Sequence, residues 1–186
     1  MKEYVVCKSC GYVMEKGKLH DVCPACGVPA KMFEPYAERL SPRRRLILSL
    51  DLHPITVHFT QAFAITLPLL CLAALLVTGP LRATIAATVQ VLSCLLPLTA
   101  VASVAAGLLD GKVRFRKLTT RLLTRKIVMG TLFFLFALGN LAVVLFMGVA
   151  SGPGLWLTLG LTAVCAGLGT LLGLIGVSLR NAKFPG

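Results

Sequence analysis

From Ile127 to Leu179 the chain runs 53 residues without a charged side chain. Two more uncharged runs precede it, 30 residues from Leu52 to Leu81 and 27 from Ala83 to Leu109. A bilayer's hydrocarbon core needs about 20 apolar residues per helical crossing. The longest run is broken at Ser151-Gly-Pro-Gly and the first ends at Thr78-Gly-Pro, which supplies hairpin breakers. The spacing therefore predicts four transmembrane helices, at about 55–78, 83–108, 127–150 and 155–179. Hydrophobic residues make up 56% of the 186, more than a soluble core of this size can hide.

The same chain carries a formal charge of +12, from 19 Lys and Arg against 7 Asp and Glu. Residues 1–36 hold five Lys and four acids, a net of +1, so +11 belongs to residues 37–186. The hairpin turns carry one basic residue, Arg82, while Lys112 to Lys126 carries seven, Arg43–Arg45 precede the first helix and Arg180 and Lys183 follow the last. The positive-inside rule then expects a multi-pass protein with both termini in the cytoplasm, in the plasma (inner) membrane of a prokaryote. Basic residues placed this way report membrane orientation and contact with lipid headgroups, and nucleic acid is not expected as a partner. Residues 1–36 lack a basic start followed by an apolar stretch, so no signal peptide is expected there.

The seven cysteines divide. Cys71, Cys94 and Cys165 are scattered in apolar runs and read as small buried fillers. Cys7-Lys-Ser-Cys10 and Cys23-Pro-Ala-Cys26 stand twelve residues apart, each pair followed by glycine. Two such knuckles bring four thiolates round one ion, a soft tetrahedral set suited to zinc or iron. A 36-residue domain is too small to stand on its core, so the ion also holds the fold. Two disulfides are the alternative, disfavoured in a reducing cytoplasm. His20 lies between the knuckles and reads as a surface residue.

The run Tyr4-Val-Val-Cys7-Lys-Ser-Cys10-Gly-Tyr, with Cys23-Pro-Ala-Cys26-Gly and Phe33 seven residues beyond, resembles the rubredoxin-like domain of rubrerythrins. The resemblance implies iron held by Cys7, Cys10, Cys23 and Cys26, cycling by single electrons. A structural zinc ribbon shares both knuckles, and zinc stays open as the alternative.

Ser41-Pro42 starts a segment, 37–52, whose Arg43-Arg44-Arg45 precedes an apolar stretch. It reads as a basic linker helix lying in the membrane interface, or as a solvated linker. Beyond it comes His53-Pro54-Ile55-Thr56-Val57-His58-Phe59. Pro54 suits a first helical turn with His53 at its cap. His58 would lie about 7.5 Å deeper and about 140° round the helix from His53. This opening resembles an uncharacterised family of four-helix bacterial membrane proteins beginning H-P-x-x-V-H-F, with further likeness in Gly107-Leu-Leu-Asp110 and in the glycine-rich last helix. Other members carry a histidine at the start of the third span, where this chain has Thr124-Arg125-Lys126-Ile127.

Ligand-capable residues inside a membrane are candidates for function. His53 or His58 could hold a haem b, completed by Met or by a second subunit's histidine. His58, Thr60 and Gln61 could instead hydrogen-bond a quinone. A purely structural role is the third reading. Pro68 and Pro97 are expected to kink their helices, Asn140 and Gln90 to satisfy one another or nearby backbone, Gly169-x-x-x-Gly173 to pack closely within the chain, and Trp156 to sit in the outer aromatic belt. No nucleophile with an attendant base and no phosphate-binding loop is present.

The expected fold is a small metal-bound rubredoxin or zinc-ribbon-like β domain (1–36), the linker helix (37–52) and an all-α four-helix transmembrane bundle (53–186). The expected function is a membrane-anchored one-electron carrier rather than a stand-alone enzyme. Its expected partners are membrane lipids, a redox donor and acceptor, and a second copy or a larger membrane complex. The alternative is a non-redox membrane protein with a zinc-ribbon interaction module.

Overall fold

A computed structural model describes residues 3–36, 41–115, 121–150 and 152–180. The chain divides into two compact units, Met1–Arg45 and Leu46–Gly186.

The first unit is built on β1 (Tyr4–Cys7), a run of β-favouring residues with alternating burial. It is the middle strand of an antiparallel sheet, between β2 (Val13–Glu15) and β3 (Phe33–Tyr36). The register sets Val6 opposite Val13 on one side and Cys7 opposite Phe33 on the other. Short 3-10 turns at Lys16–Lys18 and Ala30–Met32 follow β2 and lead into β3. Among the described residues of this unit only Val5, Cys7 and Cys23 are buried. Two of its three core side chains are thus thiols. Such a core cannot offset the chain entropy of some thirty ordered residues, so the sulfur cluster must supply the stability.

Helix α1 (Pro42–Ser49) begins on proline, whose missing N–H costs nothing at a first helical position. Asp51, at φ 47°, separates it from α2 (Leu52–Leu76). Helix α2 therefore starts three residues before the expected 55, with His53 and Pro54 both inside its first turn. The remaining helices are α3 (Gly79–Phe115), α4 (Arg121–Met147) and α5 (Pro153–Arg180). Helix α3 outruns its expected end by seven residues and α4 starts six residues early. Both extensions lie in the basic stretch, because Lys and Arg are good helix formers and a charge ends the membrane crossing without ending the helix. Pro68 and Pro97 lie inside α2 and α3, which continue through them.

Helix α2 packs on α3 and α5, and α4 packs on the same two, closing a ring of four. Its interior combines small side chains, Ala64, Cys71 and Ala74 from α2, Ala86 and Ala100 from α3, Ala137 from α4 and Cys165 from α5, with Leu67, Val89, Leu96, Phe133, Val144, Val149 and Leu155. Large apolar residues point outward, among them Leu69, Leu76, Val91, Leu98, Phe146, Trp156 and Leu174. An outer face this apolar is the reverse of a soluble bundle and suits a lipid solvent. Four helices are long and apolar enough to cross a membrane. Cys71 and Cys165 are buried as expected, but Cys94 is exposed on the outer face of α3. Asn140 donates to Ser93 Oγ at 2.9 Å instead of meeting Gln90, which is exposed.

Candidate metal centre

The two knuckles are built alike. The Cys7 amide donates to the Tyr12 carbonyl (2.9 Å) and Gly11 N–H returns to the Cys7 carbonyl (2.8 Å). The Cys23 amide donates to Val28 (2.8 Å) and Gly27 N–H returns to Cys23 (2.9 Å). Gly11 and Gly27 close these loops at φ 74° and 75°, in the left-handed region that glycine enters without strain. Strand β1 delivers Cys7 into the first knuckle. The bridge between Val22 and Pro29 closes the base of the second.

The four Sγ atoms lie within 4.8 Å of one another. Cys7 and Cys26 are 3.8 Å apart, and so are Cys10 and Cys23. A metal–sulfur bond of about 2.3 Å in a regular tetrahedron gives a sulfur–sulfur edge of about 3.8 Å. A disulfide needs about 2.05 Å, and all seven cysteines are free thiols. The donor set therefore fits one tetrahedral soft ion. The first cysteine of each knuckle, Cys7 and Cys23, is only 1% exposed, whereas Cys10 and Cys26 lie at the surface. One edge of the cluster is thus sealed and the other open.

Without an ion the thiols compete for protons. Desolvation opposes ionising Cys23, but the amides of Cys26 and Ala25 and the neighbouring thiols of Cys26 and Cys10 lower it to about 7. The Tyr12 amide favours the Cys10 thiolate, yet desolvation and the thiols of Cys26, Cys7 and Cys23 together raise it to about 12. Ion pairs Lys8–Glu34 (3.2 Å), Lys16–Glu3 (2.8 Å) and Lys18–Glu15 (3.5 Å) use six of the unit's charges in local pairs with at least one exposed partner. His20 is exposed, as expected of a surface residue.

Residues 6–34 match the family model of the rubrerythrin rubredoxin-like domain. No curated protein and no solved structure matches the chain. The rubredoxin-like domain spans both knuckles and ends within β3, so sulfur geometry and family likeness fall on the same residues. It forms a four-cysteine metal-binding site in a chain whose four apolar helices fit a membrane protein.

The membrane candidates are not brought together. His53 is half-buried with both ring nitrogens engaged, Nδ1 by the Ser103 carbonyl and Nε2 by Lys126 Nζ, each at 3.1 Å. His58 lies on the exposed face of α2, its Nδ1 bonded to the Pro54 carbonyl. Thr60 is buried and bonded to Ser103 Oγ at 2.8 Å. Gln61 reaches across to α5, where a Cβ on Gly169 would stand 2.8 Å from its Oε1. A haem bound by one chain would find one available imidazole nitrogen, Nε2 of His58, so the histidine pair does not fit a bis-imidazole haem within one subunit. Sequence reasoning missed Lys126, Ser103 and Gly107 as partners of His53. Gly107 is where the His53 ring approaches α3, since a Cβ there would stand 2.8 Å from His53 Cε1.

Proposed function

We propose that this chain is a membrane-anchored one-electron carrier whose iron is held by Cys7, Cys10, Cys23 and Cys26. The observation that carries the reading is the closed tetrahedral sulfur set lying within the rubredoxin-like match. Four thiolates leave no open coordination position, so such a site binds no substrate. Iron supplies a ferric–ferrous couple there, and its potential answers to the amide bonds and exposure of the sulfurs. The exposed Cys10 and Cys26 edge, with Tyr12 and Val22 also at the surface, gives a redox protein a short approach to the metal. The four helices fix the carrier to the membrane, where its donor and acceptor are proteins of the same surface or a larger complex. A relay through haem would use His58, completed by Met or by the histidine of a second copy.

Zinc satisfies the same tetrahedron and gives an interaction module instead. The purified full chain from iron-replete cells separates the two. A carrier is coloured, contains iron and bleaches on one-electron reduction. A colourless, zinc-loaded, iron-free protein overturns the carrier reading. A Soret band absent from well-expressed protein removes the haem relay.

A further inference from the structure

At the charged end of the bundle, several helices converge on one imidazole. His53 stands in the first turn of α2 with Nδ1 3.1 Å from the backbone carbonyl of Ser103 on α3. A carbonyl only accepts, so Nδ1 carries the hydrogen. Nε2 is 3.1 Å from Nζ of Lys126 on α4. An ammonium only donates, so Nε2 is an acceptor. The two partners together select a single species, the neutral imidazole in its Nδ1–H tautomer.

The fold makes room for this ring. A Cβ on Gly107, one turn beyond Ser103, would stand 2.8 Å from His53 Cε1 and 2.9 Å from its Nδ1. A Cβ on Gly176 of α5 would stand 3.6 Å from Lys126 Nζ. Ser103 is itself held from its side chain by Thr60 of α2. A lysine near the end of a membrane helix ordinarily extends its ammonium outward to the headgroups. Lys126 turns inward to reach α2.

All four helices bring charged groups to this end of the bundle. Asp51 is the N-cap of α2. On α3, Asp110 is half-buried on the face that carries Ser103 and Gly107, and Lys112 is exposed. On α4, Arg121 begins the helix, and Arg125 adjoins Lys126 and is exposed. Helix α5 has no charged residue from Pro153 to Leu179 and ends on Arg180.

We propose that His53 and Lys126 form a proton-controlled latch tying α4 to α2 and α3 at this end of the bundle. When the imidazole takes a proton, Nε2 becomes a donor, and the hydrogen bond gives way to two cations in contact. The lysine's flexible four-carbon stem lets its ammonium swing out to water and headgroups. The start of α4 then loses this tie to α2. Loss of the proton restores the acceptor and recloses the latch.

The full chain in nanodiscs tests this without relying on one variant. Imidazole ¹⁵N NMR, with signals assigned through His20→Gln and His58→Gln, reads the tautomer directly. His53 is expected to show protonated Nδ1 and bare Nε2 at neutral pH, and to become imidazolium on acidification. Labelling by a water-soluble amine reagent, read by mass spectrometry as the ratio of Lys126 to exposed Lys112, reports the swing. That ratio is expected to rise several-fold across the same titration in the wild type. It should stay flat in His53→Gln, whose amide cannot titrate, and stay high at every pH in His53→Ala. A protonated Nε2 at neutral pH, or a wild-type ratio indifferent to the titration of His53, overturns the latch.

Discussion

Gly11 and Gly27 show what the metal unit asks of single residues. Nothing lies within 4 Å of a Cβ at either position, so a side chain would meet no clash. The strain is conformational, about 1–2 kcal/mol for an L residue held at these angles. Gly11→Ala and Gly27→Ala are each expected to bind the metal and to release it to a chelator roughly 5- to 30-fold faster. Release at the wild-type rate would mean that the knuckles do not depend on left-handed backbone. Cys23 adds a pH signature. Its value of about 7 in the metal-free fold lies below the ordinary 9.0. Its contribution to that fold is therefore complete above 9.0 and lost as pH falls through about 7. Metal uptake must displace the protons still bound. The proton count released is thus expected to fall as pH rises through about 7, while Cys10, raised to about 12, still yields its own. Calorimetry in buffers of different ionisation enthalpy measures that count, and a count constant through this range contradicts the assignment.

Helix junctions obey a different rule, in which the rigidity of the neighbour decides the cost of added bulk. A Cβ on Gly154 would meet the backbone carbonyl of Gly148, which cannot turn aside. A Cβ on Gly169 meets only the flexible end of Gln61. Gly154→Ala is expected to destabilise the α4–α5 hairpin by roughly 1–3 kcal/mol, the range of overpacking. Gly169→Ala should change stability by less than about 1 kcal/mol. Steric-trap or SDS unfolding in bicelles would compare them, and equal losses would refute the distinction. The Ser93–Asn140 bond ties α3 to α4 in the interior, and a double-mutant cycle to alanine should give a coupling of about 0.6–1.7 kcal/mol. The sequence showed where these helices run, because charge-free stretches of membrane length have few other uses. It could not show that Lys126 meets His53 from 73 residues away. Local pattern placed Lys126 in a basic connection, and only the ring of four helices carries it to α2. The four thiols were legible for the opposite reason, since each knuckle is a local loop whose spacing fixes its geometry. Cys94 escapes burial because the outer face of this bundle is itself apolar, so apolar surroundings in sequence do not imply burial.

For the molecule as a whole, the decisive asymmetry is between the two ends of the bundle. Short hairpins make successive helices antiparallel, so the start of α2, the end of α3, the start of α4 and the end of α5 share one end. That end carries His53, Asp110, Lys112, Arg125 and Lys126, whereas Arg82 and exposed Trp156 mark the other. Charge bias of this kind orients a membrane protein with its basic end in the cytoplasm. A fluorescent reporter fused to either terminus is expected to fold and fluoresce in the cytoplasm. A phosphatase that needs disulfides is expected to be active only when inserted in the 148–152 turn. The orientation also governs the chemistry of the sulfurs. In a reducing compartment four thiols within 4.8 Å of one another stay free to bind a metal. On the oxidising side the same thiols would be open to disulfide formation, and no carrier would be made. Reporter activity of the opposite sense would therefore remove both the topology and the iron site, and thiol labelling of Cys10 and Cys26 in intact cells checks the second consequence independently.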